Sequence, residues 1–354
     1  MSHTAPVRAR IRDRRHRGIL TLLAALACLA GCTTGELKTW TSGTAAPPGP
    51  TSATGTVAPR SGTATPNQEQ LGAVSWPADG TSAADISGIG VVDGPGATRQ
   101  VPIASVAKLM TAFVVLQDHP LSGGVSGPDI TVEPSEAAAY PSQARDGDSL
   151  VAVAAGEVIS ERQALEALLL PSADNMAWIL ARWDAGSQAA FVARMNAAAR
   201  RLGMTGTSYT DPSGLDSSTT STAADQVRLG MAAMQVPALA AITAMPTAAV
   251  PVAGAIRNTN TLLGQDGIAG LKTGSTQAAG GCALIAAWHK ASGHKTLVVS
   301  ATFGQPGTAG TILPHALQAG HDLVLALDRA LGAGGQSASR DDSEGPPQGP
   351  PGAP

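Results

Sequence analysis

Lysine is scarce in this 354-residue chain: Lys38, Lys108, Lys272, Lys290 and Lys295 stand against 18 arginines. Arginine thus supplies the generic surface charge, and a lysine inside a motif carries weight because only lysine can give up its proton. Cysteine is scarcer still, with Cys28, Cys32 and Cys282 alone, which excludes a disulfide framework. No apolar run reaches the roughly 20 residues that span a bilayer; the first, Ile19–Ala30, is too short. The formal charge of −3 speaks against a polyanion-binding surface, and nucleic acid is not an expected partner. Seven histidines are scattered without the spacing of a metal-binding helix pair, so neither a metal nor another cofactor is expected.

The N-terminus carries Arg8, Arg10, Arg12, Arg14, Arg15 and Arg17, then the apolar Ile19–Ala30 run. This is the build of an export signal over residues 1–31. Its end, Leu29-Ala30-Gly31-Cys32, resembles the lipobox of bacterial lipoproteins. The resemblance implies lipidation at Cys32 and residence at the outer face of the cytoplasmic membrane. An ordinary signal peptide cut nearby is the plainer reading. Residues 32–70 are mostly Thr, Ser, Gly, Pro and Ala, and are expected to form a flexible linker. Residues 332–354, rich in Gly, Ser and Pro, are expected to form a disordered tail. Between them, residues 71–331 are long enough to bury a substantial core.

Within that block Ile86–Val92 reads as a strand and Ala107–Gln117 as an apolar helix. Ser160 with Gln163 forms a capping box that opens a helix ending near Leu170, before Pro171. Further helices are expected from Asn175, after Ser187 up to Gly203, from Ser221 to Gln235, and over Pro314–Leu331. Ala283–Trp288 and Thr296–Phe303 read as a hairpin, with His289 and His294 beside its turn as surface residues. Strands at both ends bracket a helical middle, which favours an α/β fold with one antiparallel sheet built from both ends of the chain.

Three short motifs carry chemistry. Ser105-Val-Ala-Lys108 places a serine and a lysine one helical turn apart. A serine hydroxyl needs a base, and a desolvated neutral lysine can serve. A helix cap beside a solvated lysine is the plainer reading. Ser172-Ala-Asp174-Asn175 follows Leu170-Pro171, in the break between two helices. There Ser172 can cap the next helix and Asp174 can favour its first turn. Lys272-Thr273-Gly274-Ser275 suits an edge strand beside a cleft. Lys272 and Thr273 can hold a carboxylate, Gly274 lets a ligand approach the backbone, and the Ser275 N–H can serve an oxyanion.

In this order the three motifs resemble penicillin-binding proteins and class A β-lactamases. The segments PIASVAKLMTA (102–112), SERQALEALLLPSADNMA (160–177), YTDPSGLD (209–216), NTNTLL (258–263) and GLKTGST (270–276) resemble the D-alanyl-D-alanine carboxypeptidases of low molecular mass. The resemblance implies a β-lactamase/transpeptidase-like fold: an antiparallel sheet flanked by helices, an all-helical lobe, and the active site between them. It implies that Ser105 forms an acyl-enzyme with Lys108 as base and Ser172 relaying a proton. It also implies substrate binding by Lys272, Thr273, Gly274, Ser275, Asp174 and Asn175. The partners would be peptidoglycan stem peptides ending in D-Ala-D-Ala, with β-lactams as covalent inhibitors.

One departure stands out: Asp174 occupies a position where the family usually has Asn. A carboxylate beside Lys108 would raise its proton affinity. A β-lactamase and a catalytically weak penicillin- or peptidoglycan-binding lipoprotein are the competing readings. The first lacks the Glu-x-x-Leu-Asn segment of class A enzymes between Ser172 and Lys272.

Overall fold

Apolar residues at both odd and even positions mark strands that are covered on both faces. A computed structural model of the chain describes residues 71, 74–291 and 294–341. The leader, Cys32, the 32–70 linker and residues 342–354 lie outside the described residues. Five strands form one antiparallel sheet: β1 (Thr81–Ile86), β2 (Gly90–Asp93), β3 (Ile268–Thr276), β4 (Gly280–Ala291) and β5 (His294–Gln305). Their order is β2-β1-β5-β4-β3, so the N-terminal β1 lies beside the C-terminal β5 and β3 is an edge. Alternation sends neighbours to opposite faces. Ala83, Leu284 and Val299 enter the main core, whereas Ala84, Ile285 and Val298 pack under the last helix.

The helices are α1 (Lys108–Asp118), α2 (Pro134–Asp146), α3 (Glu161–Leu169), α4 (Asp174–Ala185), α5 (Gln188–Arg201), α6 (Ala223–Met234), α7 (Pro237–Thr243) and α8 (Ile312–Asp341). All residues of α1 from Lys108 to Leu116 are buried, the mark of a helix enclosed by its neighbours. It packs against α3, α4, α5 and α6. The α3 capping box is present: the Gln163 N–H donates to Ser160 Oγ at 3.3 Å, and the Ser160 N–H donates to Gln163 Oε1 at 3.1 Å. Leu165, Leu168 and Leu169 of this helix are buried, each contributing about 1.5–3 kcal/mol of apolar transfer.

The structure corrects several sequence readings. Ile86–Val92 is not one strand; β1 ends at Ile86 and β2 starts at Gly90, with Gly88 and Gly90 at positive φ between and at the start of them. The last helix continues to Asp341, ten residues past Leu331. The glycines that argued for its end each cost only about 1 kcal/mol in a helix, and no proline follows before Pro346. His289 is 8% exposed and pairs through Nδ1 with Asp328 of α8, so it is not a surface residue. Helix α2 escaped the reading because it buries no side chain and contains Pro141, leaving no apolar period to detect.

Candidate active site

Ser105 stands in a single 3-10 turn, Ala104–Ala107, that runs directly into α1. The turn is entered through Ala104 at φ 47, and Gly214 lies against it. A Cβ on Gly214 would sit 1.9 Å from the Ala104 carbonyl oxygen, and its own φ of 80 favours glycine. The Asp211-Pro-Ser-Gly214 turn is thereby pressed onto the Ser105 turn. Asp211 organises it: Oδ2 accepts the N–H groups of Ser213, Gly214 and Leu215, and Oδ1 accepts the Thr219 hydroxyl.

Lys108, one turn beyond Ser105, is completely buried. Its Nζ donates to Ser105 Oγ at 2.7 Å, to Asp174 Oδ1 at 2.7 Å and to the Ser213 carbonyl at 3.0 Å. Burial lowers its pKa, while Asp174 first, then Asp211 and Asp148, oppose that shift. Asp174 is therefore the carboxylate that contacts Lys108, as its position in the motif led us to expect.

The break between α3 and α4 carries the second motif. Ser172 has φ 67, is 6% exposed, and does not cap α4, whose N-cap is Ala173. Its Oγ has no hydrogen-bond partner among the described residues. Asp174 Oδ2 accepts the Ser149 N–H at 2.9 Å, and the Asp174 N–H donates to the Ser149 carbonyl at 2.6 Å. Asn175 does not join the cluster. Its amide donates to the Val151 carbonyl at 2.8 Å and accepts the Val151 N–H at 3.3 Å, so each end bonds to the backbone of Val151. The Asn175 amide thus points to Val151 rather than to the serine–lysine cluster.

The opposite wall is β3. Lys272 is 1% exposed, and Nζ donates to the Thr273 carbonyl at 2.8 Å. Burial and then the charge of Lys108 hold its pKa well below the usual lysine value. Thr273 Oγ1 lies 2.7 Å from Thr259 Oγ1, and the Thr259 N–H donates to the Leu170 carbonyl at 3.0 Å. Thr259 so ties the strand to the end of α3. A Cβ on Gly274 would approach the backbone nitrogens of Ser105 and Val106 to 2.8 and 3.0 Å. Gly274 is thus what lets the strand lie against the serine turn. Ser275 is half-buried and lines a cavity with Gly147, Ser149, Thr276, Gln277 and Thr308. Among the described residues, no group of three or more His, Cys, Asp or Glu side chains could hold a metal ion.

Residues 90–305 match the family described as D-alanyl-D-alanine carboxypeptidase. The chain belongs to this family. It is 36% identical over 235 residues to a D-alanyl-D-alanine carboxypeptidase of Mycobacterium tuberculosis, covering 64% of this chain and 75% of that protein. It is 38% identical over 192 residues to a D-alanyl-D-alanine endopeptidase of Pseudomonas aeruginosa, covering 52% of this chain and 59% of that protein. The chain thus spans less than two thirds of that relative's length. Among solved structures, a D-alanyl-D-alanine carboxypeptidase of Mycobacterium tuberculosis has a TM-score of 0.59 at 31% identity, covering 72% of this chain and 94% of that one. A Streptomyces DD-transpeptidase, at 23% identity, has a TM-score of 0.61 over 72% of this chain and 98% of that one, a likeness of fold. The family's fold is the expected one, with a sheet, its covering helices and a helical lobe.

Three contributors to the site were not singled out from sequence. Ser213 offers a carbonyl, and a backbone oxygen has no residue signal. Ser149 meets Asp174 from 25 positions away, with no local pattern. Thr259 lay inside a quoted segment, but its role depends on which strand faces it.

Proposed function

We propose that residues 71–331 form a serine-type D-alanyl-D-alanine carboxypeptidase that trims the terminal D-Ala from peptidoglycan stem peptides. The observation that carries this reading is the buried Lys108 amine at 2.7 Å from Ser105 Oγ. Burial favours the neutral amine, and the distance suits direct proton transfer. Ser105 Oγ attacks the carbonyl of the penultimate D-Ala while its proton passes to Lys108. The backbone N–H groups of Ser105 and Ser275 face the oxyanion. The proton taken up by Lys108 is relayed through Ser172 Oγ to the departing amine as the C–N bond breaks. Lys272 and Thr273 hold the terminal carboxylate. Water then releases the shortened peptide from Ser105. β-Lactams acylate the same oxygen.

A second reading is cleavage of cross-linked peptides, favoured by the Pseudomonas aeruginosa relative, which is named an endopeptidase. Incubating the protein with a pentapeptide and with a cross-linked dimer separates the two. Release of D-Ala from the pentapeptide, lost in Ser105→Ala together with fluorescent-penicillin labelling, is the expected result. Rapid β-lactam loss without stable labelling would point to a lactamase instead. We further propose export and lipid anchoring at Cys32, on the strength of the Leu29-Ala30-Gly31-Cys32 pattern. Retention of a Cys32→Ser variant in the membrane fraction would refute the anchor.

A further inference from the structure

We propose that Asp174 is a positioning residue that links the base to the cleft rim: Oδ1 holds Lys108 so that its lone pair faces Ser105, and Oδ2 holds Ser149. The proposal rests on the acyl-enzyme reading above. The Lys108 nitrogen has three neighbours: Ser105 Oγ, Asp174 Oδ1 and the Ser213 carbonyl. A carboxylate and a carbonyl can only accept, so each claims one N–H of Lys108 in either protonation state. A hydroxyl can accept or donate. The charged ammonium therefore spends its third proton on Ser105 Oγ. The neutral amine has its lone pair left in that one direction, where it receives the Ser105 proton. An amide at position 174 could turn an N–H toward Lys108 and occupy the lone pair; a carboxylate cannot.

The second oxygen reaches the rim. Helix α2 buries no side chain, and its start is held by Arg182, which donates through Nε to Glu136 Oε1 at 2.6 Å. Its far end leads through Gly147 and Asp148 to Ser149, which lines the cavity beside Ser275. There the two hydrogen bonds between Ser149 and Asp174 fasten the chain. Asp174 spends one oxygen on each partner. Asparagine, with a single oxygen, would have to give up either Lys108 or the Ser149 N–H.

Asp174 also favours the protonated base. Asp211 and Asp148 act in the same direction on Lys108, while the charge of Lys108 lowers the pKa of Lys272. Removing the Asp174 charge leaves more neutral amine at a given pH. The test is the acylation rate of the full-length protein with fluorescent penicillin across pH, together with hydrogen exchange of residues 146–149. In Asp174→Asn the acid limb should move down by about one pH unit or more, and the Ser149 amide should exchange faster. The plateau rate should drop several-fold. Asp174→Glu, which keeps the charge, should keep the limb where the wild type has it. Labelling with an unmoved limb in Asp174→Asn overturns this proposal alone. Unchanged Ser149 exchange overturns its rim half. No labelling of the wild type would overturn the acyl-enzyme reading and this proposal together.

Discussion

Two lysines face the same cleft from opposite walls, and both are buried. Lys108, on the helical wall, spends all three ammonium donors on Ser105, Asp174 and Ser213. Lys272, on the strand wall, has one acceptor, the carbonyl of its own neighbour Thr273. Ser172, in the break between α3 and α4, has a buried Oγ with no partner among the described residues. Burying polar groups without partners costs free energy. Lys108 is therefore fully engaged before any substrate arrives, as suits an amine that must be aimed. Lys272 and the Ser172 hydroxyl keep donor capacity, at some cost to stability.

Cutting each lysine to Met tests this contrast most directly. Lys108→Met should slow acylation by about 10²–10⁴-fold. It should also cost about 3–5 kcal/mol in urea unfolding, because Asp174 is left charged and unpaired. Adding Asp174→Asn to that variant should recover most of the stability. Lys272→Met should cost less than about 1 kcal/mol, or stabilise, since among the described residues no carboxylate makes an ion pair with that amine. Equal losses in the two variants would break the comparison.

The walls must also meet at close range, which Gly274 permits. Gly274→Ala pushes a methyl group against the Ser105 and Val106 backbone, and that backbone cannot rotate away. We expect acylation slowed by about 10²-fold with a modest fall in melting temperature. A wild-type labelling rate would mean the strand has room that the distances deny.

The smallest expected effect concerns a carboxylate away from the cleft. Glu161 is fully buried, neither oxygen has a partner among the described residues, and burial pushes its pKa up from 4.5 to about 7. As pH rises from 4.5 to about 7, the unfolded chain gives up this proton and the folded chain keeps it, so stability falls. Glu161→Gln lacks the penalty. It should be more stable than the wild type by roughly 1–3 kcal/mol near pH 8 and equal to it near pH 4. Melting curves at the two pH values decide it; the same gain at both would show that charge is not the cause. Unlike Asp174, Glu161 has no lysine to share its burial.

Local rules made much of this legible. The Ser160–Gln163 capping box is satisfied by atoms three residues apart, so it could be read directly. The β4–β5 hairpin announced itself by two apolar runs around a polar turn. Ser105 and Lys108 share one face because they lie three residues apart, one turn of the 3-10 segment that runs into α1. Elements without an apolar period were missed, α2 above all. His289 was misread because a polar residue next to a turn usually faces water; here α8 covers it and offers Asp328.

The amino-acid order alone determined the three motifs, the helices that present them and the placing of β3 as a strand, since each depends on neighbours within a few positions. Tertiary structure decided what those residues touch. Ser172 is not a cap, Asn175 is turned to Val151, and Asp174 meets Lys108 across 66 positions and Ser149 across 25. A hydrogen bond between distant segments depends on how whole helices pack, and that packing follows from the summed burial of the core rather than from any residue pair. For the same reason the two oxygens of Asp174 are engaged by partners that its place in the motif does not reveal.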